Sequence, residues 1–151
     1  MRAEERPEAT FGVCYLGWGR EAAFAESFLR RPGVQLIPLA TFDARALTEI
    51  ESTRPLRLVA FVGPGLAAVG ATAAVSHGPH EVARRWARAL WAHPDQPDGL
   101  AYRCRHGDDA LAVALFDRAA DALAIRETSP MRADRVWFGQ MLNRYGLVLA
   151  D

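Results

Sequence analysis

Short apolar runs alternate with helical stripes along most of the chain. Gly12–Leu16 is a continuous apolar run of the kind a buried strand shows, and Gly17-Trp-Gly19 follows as a turn. Arg20–Arg31 carries a helical stripe stopped by Pro32-Gly33. At about 100° per residue, Ala22, Phe24, Ala25, Phe28 and Leu29 fall on one side, with Ser27, Arg30 and Arg31 away from it. Glu26 falls at the edge of the stripe, where a carboxylate reaches a cleft without entering the core.

The pattern then predicts a strand over Val34–Leu39, a short helix over Ala44–Ser52 and a strand over Leu56–Val62. Gly63-Pro-Gly65 turns the chain, Leu66–Val69 is a short helical piece, and Gly70–Ser76 is irregular or weakly extended. His80–Ala92 is amphipathic, with Val82, Ala83, Trp86, Ala89 and Leu90 opposite Glu81, Arg84, Arg85 and Arg88. The loop His93–Gly99 leads to strands at Leu100–Cys104 and Ala110–Leu115, joined by a turn over 106–109, and to another strand at Ala122–Arg126. A last helix over Asp134–Tyr145 packs through Trp137, Phe138, Met141, Leu142 and Tyr145, and Gly146–Leu149 closes as a strand. Strands and helices mix without strict βαβ alternation, repeat or linker, so one mixed α+β domain is the expected class.

Composition narrows the chemistry. The chain has 151 residues, half of them hydrophobic, with a formal net charge of zero. That size buries a sizeable core in one domain, and that balance gives no electrostatic reason to expect direct nucleic-acid or membrane binding. The basic residues are all arginine, which excludes Schiff bases, pyridoxal anchoring and the P-loop lysine. No apolar run approaches a membrane span and no secretory pattern opens the chain, so the expected compartment is the cytoplasm. Residues 1–10, polar and charged, read as a poorly ordered start.

Several local signals have structural readings. Gly63-Pro-Gly65 fails the dinucleotide fingerprint, because position 68 is Ala68 and Pro64 lacks an N–H for a pyrophosphate. His77, His80, His93 and His106 do not form a metal-ligand spacing, and no metal is expected. Cys14 and Cys104, both in apolar strand contexts, read as buried small hydrophobes. The arginines of the 80–92 helix read as a solvated face. Arg103 and Arg105 alternate with Cys104 along a strand and so point to the opposite face.

An ordered set of motifs remains. It runs Phe11-Gly-Val-Cys-Tyr-Leu-Gly17, Ala22-Ala-Phe-Ala-Glu26, Arg54–Val59, Gly63–Ala71, His93–Gly99, Tyr102-Arg-Cys-Arg-His106, Ala114–Arg118 and Leu142–Leu147. In this order and spacing the chain resembles the RES domain, the toxin half of a bacterial toxin–antitoxin pair, from Phe11 to Leu149. The resemblance implies a compact α+β domain similar to ADP-ribosyltransferases, with small sheets around a cleft for NAD+. It implies degradation of NAD+, by phosphorolysis to nicotinamide and a phosphorylated ADP-ribose, with protein ADP-ribosylation as an alternative. The implied partners are inorganic phosphate and a cognate antitoxin with an Xre-type DNA-binding domain that covers the cleft.

The chemistry fits those residue types. Cleaving the nicotinamide–ribose bond builds positive charge on the ribose, which a nearby carboxylate stabilises. Glu26 matches the family glutamate and takes the catalytic role. Tyr15 matches the strand tyrosine, whose face suits a flat cationic ring. Cys104 stands where the family has its serine, as a second NAD-binding position. The family arginine lies upstream of the tyrosine strand, in a segment this chain largely lacks. Arg2 and Arg6 are nearby without matching it, so the RES domain is expected to be N-terminally short, spanning 11–151. These two departures motivate a further alternative, a catalytically impaired RES-fold protein that acts only by binding the antitoxin.

Overall fold

The computed structural model describes residues 10–31, 33–72, 80–105 and 107–150. Among these, three small sheets are held together by helices, the mixed class the sequence predicts. The largest sheet has four strands in the order β1 (Val13–Gly17), β6 (Gly107–Phe116), β5 (Gly99–Cys104), β4 (Leu58–Phe61). β6 runs antiparallel to both β1 and β5, and β4 joins β5 in parallel. β2 (Leu36–Pro38) pairs in parallel with β8 (Val148–Ala150), and β3 (Ala46–Ser52) pairs antiparallel with β7 (Leu123–Pro130).

The helices are α1 (Arg20–Phe28), α2 (Leu39–Asp43), α3 (Pro64–Ala68), α4 (His80–Trp91) and α5 (Arg135–Tyr145), with a 3-10 turn over Asp117–Ala122. Alternation along β5 and β6 divides the large sheet into two apolar faces. On one face Leu100, Ala114 and Phe116 pack with Phe61 under Trp86, Ala87 and Leu90 of α4, while Cys104 and Ala112 pack with Ala22 of α1. On the other, Val113 and Leu115 pack with Leu16, Leu58 and Ala101.

A second core joins α1 to α2 and α5. Phe24 is fully buried, its ring stacked on Phe42 and Tyr145 and edge-on to Trp137. Asp134 caps α5 by accepting the Trp137 N–H at 2.9 Å, and Gly146 ends the helix in the left-handed conformation. That capping bond, followed by the Arg20 contact, holds the Asp134 carboxyl below the usual range.

The structure departs from the sequence pattern in several places. Ala46–Ser52 is a strand and not the expected helix, because it pairs with β7. On that ribbon Leu47 and Ile50, three apart, are the two half-buried positions, with a register shift between Glu49 and Ile50, so a helix-like spacing serves a strand. β6 begins at Gly107, so the expected turn over 106–109 is shorter; His106 lies outside the described residues, as do residues 73–79 of the irregular segment and the whole of 1–9. Along α4 the inward position is Ala87, while Ala89 is exposed. Cys14 is exposed, because β1 is an edge strand and its outer end borders an open concavity; Cys104 is buried as expected.

Candidate functional site

Tyr15 and Glu26 sit on β1 and α1, the two elements joined by Gly17-Trp-Gly19. The join is tight. A Cβ on Gly17 would lie 2.3 Å from the Ala23 nitrogen, so the absence of a side chain lets the first turn of α1 lie directly over the end of β1. Trp18 is turned outward while its N–H bonds the Leu111 carbonyl at 2.8 Å.

The first turn of α1 is also clamped from outside. Arg20 Nη1 donates to Asp134 Oδ2 at 3.0 Å, with its guanidinium 4.7 Å from the Trp137 ring centre. Glu21 Oε1 accepts from Trp137 Nε1 at 3.1 Å. These contacts fix the rotation of α1 about its axis. With Phe24 and Ala25 turned into the core, Glu26 is directed along the helix edge toward the end of β5.

There its Oε1 accepts the backbone N–H of Arg105 at 3.1 Å. Cys104, fully buried, lies beside it. Burial pushes the Cys104 thiol up to about 12, and the Glu26 carboxylate adds to this by its charge and as an acceptor for the S–H. The thiol is therefore protonated near neutral pH and serves as a weak donor, not as a nucleophile.

Tyr15 sits on the edge strand, 70% exposed, so its ring face is open to a ligand and not part of a strand core. Tyr102 shares the Cys104 face of β5 and packs against the cluster of Ala22, Cys104 and Ala112. Burial raises the Tyr102 phenol far above its ordinary value, and the charges of Glu26, Cys104 and Tyr15 each add to the shift. Sequence reasoning gives Tyr102 no role. The signal lies in its i, i+2 relation to Cys104, the same alternation that sets Arg103 and Arg105 apart. Arg2 and Arg6 lie outside the described residues.

The remaining motifs are structural. The Asp98 carboxylate of the 93–99 loop, nearly buried, takes both Arg54 guanidinium nitrogens, at 2.8 and 3.1 Å, and the Arg57 N–H at 2.8 Å. These bonds, Arg54 first, hold the Asp98 carboxyl below the usual carboxylate range. A Cβ on Gly65 would lie 2.3 Å from the Ala60 carbonyl oxygen, so the start of α3, which takes in Pro64 and Gly65 of the expected turn, lies close against β4. Among the described residues no three His, Cys, Asp or Glu side chains are grouped as a metal site needs, and no helix is long and apolar enough to cross a membrane.

What the arrangement offers chemically is a carboxylate held by a backbone N–H, two tyrosines of unlike exposure and a protonated thiol. The sequence model of the RES domain matches residues 2–138, a span that includes Tyr15, Glu26, Tyr102 and Cys104 as well as Arg2 and Arg6. A curated relative, "Probable toxin y4kH" of Sinorhizobium fredii (strain NBRC 101917 / NGR234), is 31% identical over 112 residues, 74% of this chain and 87% of the relative. No solved structure matches the chain at a significant level.

Proposed function

The chain belongs to the RES domain family, and on that premise we propose that it is a toxin that cleaves the nicotinamide–ribose bond of NAD+ by phosphorolysis. The observation that carries this reading is the Glu26 carboxylate, fixed by the Arg105 N–H next to Cys104, against whose cluster Tyr102 packs. When the C1′–N bond breaks, its electron pair goes to the ring nitrogen and nicotinamide leaves neutral. Positive charge grows on the ribose, and Glu26 stabilises it while orienting a ribose hydroxyl. A phosphate oxygen then bonds to C1′, giving ADP-ribose phosphate. Tyr15 offers its exposed face to the cationic nicotinamide ring. Cys104 replaces a stronger hydrogen-bonding serine at the second binding position.

The fold this family membership implies is that of the ADP-ribosyltransferases. The name of the relative, a toxin, supports the pairing of this chain with an antitoxin. We take that partner to carry an Xre-type DNA-binding domain and to cover the same site.

The test is NAD+ consumption by purified protein, with and without inorganic phosphate, following nicotinamide release. Phosphate-dependent release is expected. Release without phosphate dependence points to water or protein as acceptor, and label transferred from NAD+ onto protein identifies ADP-ribosylation. A second reading, an impaired member that only binds its partner, draws on the buried thiol at Cys104. Under it the wild type is inactive while still binding the antitoxin.

A further inference from the structure

Tyr102 occupies a row that crosses the four strands of the large sheet at matched positions: Gly17 pairs with Ala112, Ala112 with Tyr102, and Tyr102 with Phe61. Paired residues project to the same side of a sheet. In this row Gly17 and Ala112 are small, Phe61 is buried, and Tyr102 alone carries a polar group. Its ring packs against the Ala22–Cys104–Ala112 cluster under α1 and also against the Phe61–Leu90–Leu100 cluster under α4. Tyr102 therefore stands at the seam between the two sets of elements that cover this face.

The side chain is half-buried, which fixes the ring, and it packs against the cluster of Cys104, whose chain neighbour Arg105 donates its backbone N–H to Glu26. Burial first, and the Glu26 carboxylate after it, keep the phenol protonated, so the hydroxyl is a donor throughout the physiological range. The two groups are complementary toward a sugar. A ribose hydroxyl donates to a carboxylate such as Glu26 and at the same time accepts from a neighbouring O–H.

Resting on the reading of the Glu26 site as an NAD+ site, we propose that Tyr102 is a further substrate-binding residue, donating its hydroxyl hydrogen bond to the ribose that Glu26 orients. The contact is made alike in the ground state and the transition state, so it acts on binding and not on the chemical step.

The test compares wild type with Tyr102→Phe, which keeps the packed ring and removes only the donor. NAD+ turnover gives KM and kcat, and calorimetric titration with NAD+ in a Glu26→Gln background gives binding without turnover. Loss of one hydrogen bond predicts a KM for NAD+ raised roughly three- to tenfold, kcat within about twofold, and the same fold-rise in Kd. Tyr102→Ala removes the ring as well and lowers the melting temperature, whereas Tyr102→Phe leaves it unchanged. Active wild type with unchanged KM and Kd in Tyr102→Phe overturns the proposal and leaves Tyr102 a packing residue. Wild type that neither turns over nor binds NAD+ overturns the NAD+ reading itself and the Tyr102 role with it, a failure visible before any Tyr102 variant is made.

Discussion

The backbone N–H of Arg105 donates to Glu26 Oε1 at 3.1 Å, joining two residues 79 apart in sequence. That bond holds the carboxylate of α1 against the chain just past β5 and gives it one orientation. Glu26→Gln keeps an oxygen that accepts the same N–H but removes the negative charge. NAD+ turnover is expected to fall by about 100-fold or more, the usual scale for losing one electrostatic contact to a charged transition state. Thermal melting is expected to change little, because the N–H bond is kept. Nicotinamide release at the wild-type rate in this variant would remove Glu26 from the mechanism.

The parts of this site differ in how legible they are in the sequence. Glu26 shows in the helical stripe, since Ala22, Phe24 and Ala25 are buried as the periodicity predicts and Glu26 falls at their edge. Cys104 shows as an apolar strand position. Cys14, two strands away in the sheet, has apolar neighbours in sequence, Val13 and Tyr15, yet is exposed, because nothing local tells an edge strand from a central one. β3 is illegible for a related reason. Its partner β7 is distant in sequence, and Thr48 meets Thr128 across the ribbon at 3.1 Å only once the fold has formed. Its Ala, Leu and Glu residues favour a helix until that pairing overrides them.

The two cysteines are predicted to separate chemically. Cys14 is exposed; Cys104 is fully buried with its thiol pushed up to about 12. A colourless-to-yellow thiol reagent at pH 8 is expected to titrate one thiol per native chain and two after denaturation. Alkylated Cys14 and unmodified Cys104 on peptide mapping complete the test; rapid modification of Cys104 in the folded protein would contradict this burial. Cys104→Ser, nearly isosteric, is expected to keep the fold and raise kcat/KM for NAD+ several-fold by supplying a stronger hydrogen-bonding group.

Asp98 ties the 93–99 loop to the chain leading into β4, the parallel neighbour of β5. Its carboxylate takes two bonds from Arg54 and one from the Arg57 backbone, while Phe116 N–H bonds the Asp98 carbonyl at 2.8 Å. Asp98→Asn keeps the shape and removes the charge. It is expected to destabilise by about 2–3 kcal/mol at pH 7, less than for a fully buried pair because Arg54 is partly hydrated. The pH dependence has a definite sign. The folded-state pKa is lowered, so the contribution is present above the unfolded value of about 3.9 and disappears as pH falls through the folded one. Urea melts from pH 6 to pH 2.5 are expected to show the gap between wild type and Asp98→Asn closing at the acid end. A gap that persists there would assign the loss to geometry and not to charge.

Gly17 and Gly139 give opposite expectations for the same substitution. A Cβ on Gly17 would lie 2.3 Å from the Ala23 nitrogen, 2.8 Å from its Cα and 2.9 Å from the Ala22 carbonyl carbon. All three are backbone atoms of α1, so no rotamer change relieves the clash and the helix must move away from β1. Overpacking of this kind costs about 1–3 kcal/mol or more. The displacement also carries Glu26, on the same helix, away from the Arg105 N–H. Gly17→Ala is therefore expected to lose NAD+ turnover beyond what its folded fraction explains. Gly139, inside α5, has open space where a methyl group would stand, with nothing within 4 Å, so Gly139→Ala gains helix propensity and stabilises by about 0.5–1 kcal/mol. Melting and turnover of both variants separate a helix that only needs to form from one that must lie where Gly17 lets it. If Gly17→Ala melts like wild type and turns over NAD+ normally, the close approach of α1 to β1 is not what sets the position of Glu26.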